Sequence, residues 1–321
     1  AQSVDYFSIG EFALGKRGKI SAGNGSYLAR SFLRPHTAGY KANRDEQLAA
    51  LDMQISASIC DTGLLSSELF IFADDAVLSN FRDWLATRGI ALRFFYFIRN
   101  QVQFLTSSYI QQVKRHACTE MSEDYILRIY QKIPHIKYSK LFERMTKIVE
   151  PTQITCINYH DARALEHGIY DAFLTSFGLH SQGLKFPEND VNVSLDMTEI
   201  KIMLLLNKLK PRMVFSDYIV ENAVRGGRKP ADMLHELLSR KTVEELESYF
   251  AEDNARFARS YFNREMLFAD VYSNVDAPQI SGTEPSLTDI IETFGGLLVR
   301  FDERLAALER RVKTIVDLEQ N

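Results

Sequence analysis

One short run constrains the fold of this chain more than any other feature: Ile90–Ile98, IALRFFYFI. It is apolar at nearly every position and rich in aromatic residues. It is shorter than an ordinary helix and lacks the apolar/polar alternation of a half-exposed strand. Such a run suits a strand covered on both faces, the situation of strands in a parallel sheet. It stops at Arg99-Asn100, and the spacing beyond predicts a helix over 102–113. Ile59–Leu65 and Ile154–Asn158 are shorter apolar runs that likewise end in polar groups, Ser66-Ser67-Glu68 and Tyr159-His160-Asp161. Residues 4–9, VDYFSI, read as a further strand or its remnant. Helical spacing appears over 26–32, 44–56, 75–87, 124–133 and 138–149. Strands alternating with helices predict an α/β fold with a parallel sheet. Past Asn158 the strand signal fades, and 170–177, 196–209 and 242–262 read as a mostly helical second half.

The end of the chain follows a different rule. Residues 272–288 are polar, with two prolines and a glycine, and read as a linker. Then Ile291, Phe294, Leu298, Phe301, Leu305, Leu308, Val312 and Ile315 recur at alternating spacings of three and four. That is a heptad seam, flanked by charged residues such as Glu303, Arg304, Glu309 and Arg310. A surface helix packed on its own domain shows a broader stripe and drifts off a strict seven-residue period. The seam therefore predicts a C-terminal coiled coil over 289–321 through which the chain self-associates, the alternative being a helix folded back on its own domain. The expected organisation is an α/β domain over 1–271, a linker over 272–288 and an oligomerisation helix over 289–321.

Composition narrows the function. The 321 residues carry 38 basic and 42 acidic side chains, a net charge of −4, so no global positive field favours nucleic acid. Cys60, Cys118 and Cys156 are scattered and form no CxxC pair, which fits a reducing compartment and argues against a disulfide framework or a zinc site. The seven histidines show neither HxxxH nor HExxH spacing, so no metal is expected. No apolar run reaches membrane-spanning length, and AQSVDYFSIG lacks the features of a signal peptide, so the expected location is the cytoplasm. No G-x-S-x-G elbow and no G-x-G-x-x-G fingerprint occur, which removes hydrolase and dinucleotide-binding readings.

Ligands of open α/β sheets bind beyond the carboxyl ends of strands, so the three polar groups there are the places to look for chemistry. In F-I-R-N-Q-V-Q-F-L-T-S-S-Y, Arg99 leaves the strand end, and Ser107 and Tyr109 follow on the next helix. An arginine so placed can hold an oxyanion with two parallel hydrogen bonds, and a serine hydroxyl can add another. The alternative is that Arg99 serves a carboxylate network and Ser107 is a helix-surface residue.

This Arg-Asn start, with serine eight and tyrosine ten residues on, resembles the 3′-phosphate-binding segment of sulfotransferases that use 3′-phosphoadenosine 5′-phosphosulfate (PAPS). More specifically, the chain resembles bacterial sulfotransferase-like proteins of polysaccharide and capsule gene sets. L-L-S-S-E-L-F (64–70), G-N-G-S-Y-L-A (23–29), D-A-F-L-T-S-F-G-L (171–179), N-V-S-L-D (192–196) with Leu206-Asn207, and E-D-N-A-R-F-A-R-S-Y-F (252–262) match in order. The resemblance implies a three-layer parallel α/β fold related to nucleotide kinases. It also implies sulfuryl transfer from PAPS to a hydroxyl or amine of a carbohydrate acceptor. Arg99 and Ser107, with Tyr109, Asn192 and Ser194, would bind the donor. Glu68 would be a base near the acceptor, its alternative being a carboxylate stabilised at a helix N-terminus. His160, after a strand end, would line the same site, or else belong to a capped turn.

The family's Pro-Lys-x-Gly-Thr-Thr donor loop is not recognisable. G-E-F-A-L-G-K-R (10–17) has a Gly-x4-Gly-Lys pattern, but Arg17 stands where a hydroxyl is required, and Lys16, Arg17 and Lys19 read as a basic surface loop. The expectation is that the loop lies upstream or has been lost. Two smaller basic groups, Lys114-Arg115-His116 and Arg225 with Arg228-Lys229, can attract an anionic saccharide or can be solvated surface. Two other functions stay open: a non-catalytic scaffold module of a polysaccharide-synthesis protein, and a nucleotide-sugar glycosyltransferase. The latter needs a metal-binding carboxylate pair, for which Asp74-Asp75 is the weak candidate and a helix N-cap the alternative.

Overall fold

A computed structural model describes residues 3–11, 21–184, 195–209, 218–219, 237–268 and 287–319. In chain order its main elements are β1 (Val4–Tyr6), α1 (Ser26–Phe32), α2 (Arg44–Ala57), β2 (Thr62–Leu64), a 3-10 turn (Glu68–Phe72), α3 (Asp75–Ala86) and β3 (Phe94–Ile98). There follow α4 (Gln101–Arg115), α5 (Ser122–Ile129), α6 (Tyr138–Met145), β4 (Ile154–Asn158), α7 (Tyr159–Arg163), α8 (Ile169–Ser176), α9 (Met197–Asn207), α10 (Arg240–Phe257) and α11 (Leu287–Glu319). The chain groups into two compact units. One comprises Ala1–Arg99, Pro134–Asn192 and Asp253–Phe268; the other comprises Asn100–Ile133, Val193–Glu252 and Ala269–Asn321.

The first unit holds all four described strands. β1 pairs parallel with β2, Val4 opposite Thr62 and Tyr6 opposite Leu64. β3 pairs parallel with β4, from Phe94 opposite Ile154 to Ile98 opposite Asn158. Parallel strands joined through helices are thus present, as expected. The single three-layer sheet is not shown: the described strands make two ladders of two strands each. One reason lies at the outer edge of β4. There the Tyr261 hydroxyl donates to the Ile154 carbonyl (2.9 Å) and accepts from the Cys156 N–H (2.8 Å). A phenol takes the hydrogen bonds that a further strand would make, and an edge so covered does not extend.

The period-2 geometry of a strand splits the aromatic run between two faces. Phe94, Tyr96 and Ile98 face the core. Phe95 packs against Phe173 and Phe177, with ring centroids 5.3 and 5.7 Å away. The expected full cover is incomplete at Phe97, which is 39% exposed. The core gathers Leu28 and Phe32 of α1, Leu51 of α2, Leu78, Phe81 and Leu85 of α3, Leu141 and Met145 of α6, and Phe257 at the end of α10. α3 shows how sequence sets such an element. Asp74 caps its start by accepting from the Ala76 N–H (3.0 Å), one stripe is buried, and Gly89 closes its exit at φ +70°.

The second unit is helical among its described residues. Asn207 at the end of α9 donates to the carbonyls of Val113 (3.0 Å) and Cys118 (2.8 Å), which satisfies the orphan end of α4. Glu123 of α5 accepts from the Ser239 N–H and the Thr242 hydroxyl, each at 2.7 Å, and so caps α10 from a distance. Burial opposes the Glu123 charge, but these hydrogen bonds prevail and hold its carboxyl below the usual range. α11 is one helix of 33 residues that starts at Leu287, within the expected linker. A coiled coil is not shown. Residues 272–286 of the linker lie outside the described residues. Among the described residues, no helix is long and apolar enough to cross a membrane.

Candidate functional site

Because Ile98 and Asn158 are register partners, Arg99 and Tyr159 leave adjacent strand ends side by side. The Arg99 guanidinium lies 5.3 Å from the centre of the Tyr159 ring. Its backbone is held by a residue 39 positions away: the Tyr138 hydroxyl accepts from the Arg99 N–H (3.1 Å) and donates to the Arg99 carbonyl. Tyr138 is buried, and burial pushes its phenol well above the ordinary range. This clamp sets where Arg99 leaves the strand, a position that Ile90–Ile98 alone could not specify.

Asn158 caps α7 by accepting from the His160 N–H (2.9 Å), and its amide donates to the Leu267 carbonyl (2.7 Å). His160 is thereby brought beside Arg99. Its ring meets Phe268 edge-on at 6.0 Å, and its Nε2 is buried without a hydrogen-bond partner. Burial, then the charges of Arg99 and Arg163, pull its pKa below the ordinary histidine value, against the opposing effect of Asp161. His160 therefore presents a buried, unsatisfied ring nitrogen near the Arg99 charge, the kind of buried polar atom that calls for an explanation. Asp161, next along, pairs with Arg264 at 2.5 Å.

Glu68 stands at the end of the other ladder, exposed in the first turn of the 3-10 helix. Ser67 caps that turn by accepting from the Leu69 N–H (3.3 Å), so the Ser-Ser-Glu group carries at least one local structural role. The GNGS segment locks onto the same strand end. Asn24, buried, donates to the carbonyls of Phe7 (2.6 Å) and Leu64 (2.8 Å) and accepts from the Ser66 N–H (2.7 Å). Gly23 sits at φ +94°, and a Cβ there would lie 2.0 Å from the Ser66 carbonyl oxygen. Only glycine meets both conditions. The amides leading into α1 all donate to protein carbonyls: Gly25 to Ser66, Ser26 to Gly23 and Tyr27 to Ile9.

The other expected site residues are placed as follows. Ser107, exposed, and Tyr109, buried, lie on α4 in the second unit. The Tyr109 hydroxyl donates to the Glu120 carbonyl (3.0 Å), and burial raises its pKa. Lys114 is buried, which leaves Arg115 and His116 of that basic group nearer the surface. Asn192 and Ser194, the loop with Lys16, Arg17 and Lys19, and the Arg225–Lys229 group lie outside the described residues. Asp74 pairs with Arg34 (3.2 Å) and Asp75 with Arg144 (2.5 Å), so neither carboxylate stands open for a metal. Among the described residues no group of three or more His, Cys, Asp and Glu could hold one. Sequence reasoning missed Tyr138 and Tyr261. Both lie in helical stretches with nothing local to mark a hydroxyl that bonds to a distant backbone.

Comparison of the chain with protein-family models, with curated proteins and with solved structures finds no match.

Proposed function

We propose that this chain binds PAPS through Arg99 and transfers its sulfuryl group to a hydroxyl or amine of a carbohydrate, in the manner of the bacterial sulfotransferases it resembles. The observation that carries this reading is the clamp on Arg99 at the carboxyl end of β3, beside Tyr159 and His160. The clamp fixes where the Arg99 side chain starts, at a strand end where α/β sheets bind ligands, and a guanidinium there can hold an oxyanion with two parallel hydrogen bonds. Arg99 takes the 3′-phosphate in this reading, with Ser107 as its partner in sequence. Glu68 or His160 takes the proton from the acceptor. In-line transfer further requires positive charge at the leaving phosphate. The heptad seam of α11 provides self-association, and the cytoplasm is the proposed location.

Isothermal titration with 3′-phosphoadenosine 5′-phosphate tests the assignment. Wild type should give a saturable binding heat, and Arg99→Ala should weaken the affinity by at least about tenfold, the scale of losing a charge-assisted hydrogen-bond pair. No heat from wild type, or equal affinity in both proteins, overturns it.

One observation favours the scaffold reading as a second possibility. The amides of Gly25, Ser26 and Tyr27 are spent on protein carbonyls, so the N-terminus of α1 offers them to no phosphosulfate. A chain that binds the bisphosphate but releases none from PAPS in the presence of a saccharide acceptor is such a module.

A further inference from the structure

α11 uses two different faces, and one of them carries instructions for a partner. Its own unit is met by the stripe Thr293, Leu297, Arg300 and Arg304. Thr293 and Leu297 are buried, and Arg300 and Arg304 reach the carbonyl and hydroxyl of Tyr218, respectively. The heptad seam lies on another stripe. Phe301 touches the Tyr218 ring edge-on at 5.5 Å, but Leu298 is 67% exposed, and Leu305, Leu308 and Val312 are each more than half exposed. Leucine and valine at this spacing and exposure form an apolar strip that is largely open to solvent.

The charges beside the strip select what covers it. With Ile291, Leu298, Leu305 and Val312 at a and Phe294, Phe301, Leu308 and Ile315 at d, the e positions carry Asp302 and Glu309. The g positions carry Arg304 and Arg311. In a parallel pair each g residue faces the e residue five positions later on the other helix, so Arg304 meets Glu309 twice by symmetry. In an antiparallel pair, g faces g and e faces e, which sets arginine against arginine and acid against acid. Arg304 spends one nitrogen on Tyr218, but a guanidinium has five donors and keeps its charge.

We infer that the occupant of this strip is the α11 of a second copy of this chain, lying parallel and in register, with Arg304–Glu309 pairs selecting that orientation. This rests on reading α11 as a self-associating helix, and it makes the chain an assembly whose two protein bodies leave the same end of the coil.

Sedimentation equilibrium on the full chain tests it with wild type, Glu309→Arg, and the double variant Arg304→Glu/Glu309→Arg. Glu309→Arg should raise the dissociation constant about tenfold, and the double variant should recover most of the loss because the pair is restored with its signs exchanged. Glu309→Arg associating as tightly as wild type or tighter overturns the parallel orientation while leaving self-association intact. Wild type that stays monomeric overturns both. A cysteine appended after Asn321 gives an arm independent of the folding of those variants. Parallel helices form an interchain disulfide that the unmodified chain lacks, whereas antiparallel helices hold those ends about 50 Å apart and form none.

Discussion

Tyr138 shows how much a single hydroxyl can decide. It sits at the first position of α6, is buried, and bonds to both backbone groups of Arg99. Tyr138→Phe keeps the ring and removes both bonds, which leaves a part-buried N–H and carbonyl without that partner. The expected cost is about 1–3 kcal/mol in a urea-unfolding titration. If the clamp positions Arg99, the same variant also weakens binding of 3′-phosphoadenosine 5′-phosphate, whereas a purely structural hydroxyl lowers stability and leaves the affinity alone. Arg99 itself was legible in sequence, because an arginine directly after an apolar strand lies where α/β sheets bind ligands. Tyr138 was not legible, since the contact joins positions 99 and 138 and neither reveals the other.

At the scale of elements, the GNGS segment binds the ends of β1 and β2 into one corner. Asn24 is the centre of that corner, with three hydrogen bonds to the backbone of Phe7, Leu64 and Ser66. Asn24→Leu fills similar volume but strands all three groups in a buried place. The expected loss is about 3 kcal/mol, read as a lower unfolding midpoint with an unchanged denaturant slope. The start of α3 was legible, because Asp74 reads as an N-cap, whereas the Asn100 cap, the Asp196–Glu199 capping box and the Gly89 exit emerge only in the structure. β3 was overestimated. Its apolar run begins at Ile90, but strand pairing starts at Phe94, because register with Ile154 determines which residues find partners. Hydrophobicity says that a segment will be buried, and only the neighbouring strand says how much of it is laddered.

At the scale of the whole molecule, a half-buried histidine links the fold to pH. His135 packs edge-on against Phe72 at 5.0 Å; burial first, and then the charge of Arg144, hold its pKa down to about 4. A folded-state value below the ordinary one means that the unfolded chain binds the proton more readily. The stability that this group contributes is complete above about pH 6.5 and is lost as the pH falls toward 4, a change of up to about 3 kcal/mol. His160, also lowered, adds in the same direction. Unfolding midpoints measured across this range should fall with pH, and His135→Gln should flatten the slope; an unchanged slope refutes the assignment.

The sequence by itself determined the parallel strands, their alternation with helices, the Asp74 cap and the heptad period of α11, because these depend on local spacing and on which side chains avoid water. It also picked out Arg99 as the residue at a strand end. Only the tertiary structure decided that the strands stop at two ladders, that a tyrosine from 39 residues away grips Arg99, and that α11 meets its own unit mainly through Thr293, Leu297, Arg300 and Arg304 while most of its seam stays exposed. Those outcomes are contacts between residues far apart in the chain. Many partners of similar apolarity compete for each of them, and packing geometry, which no local window contains, selects among them.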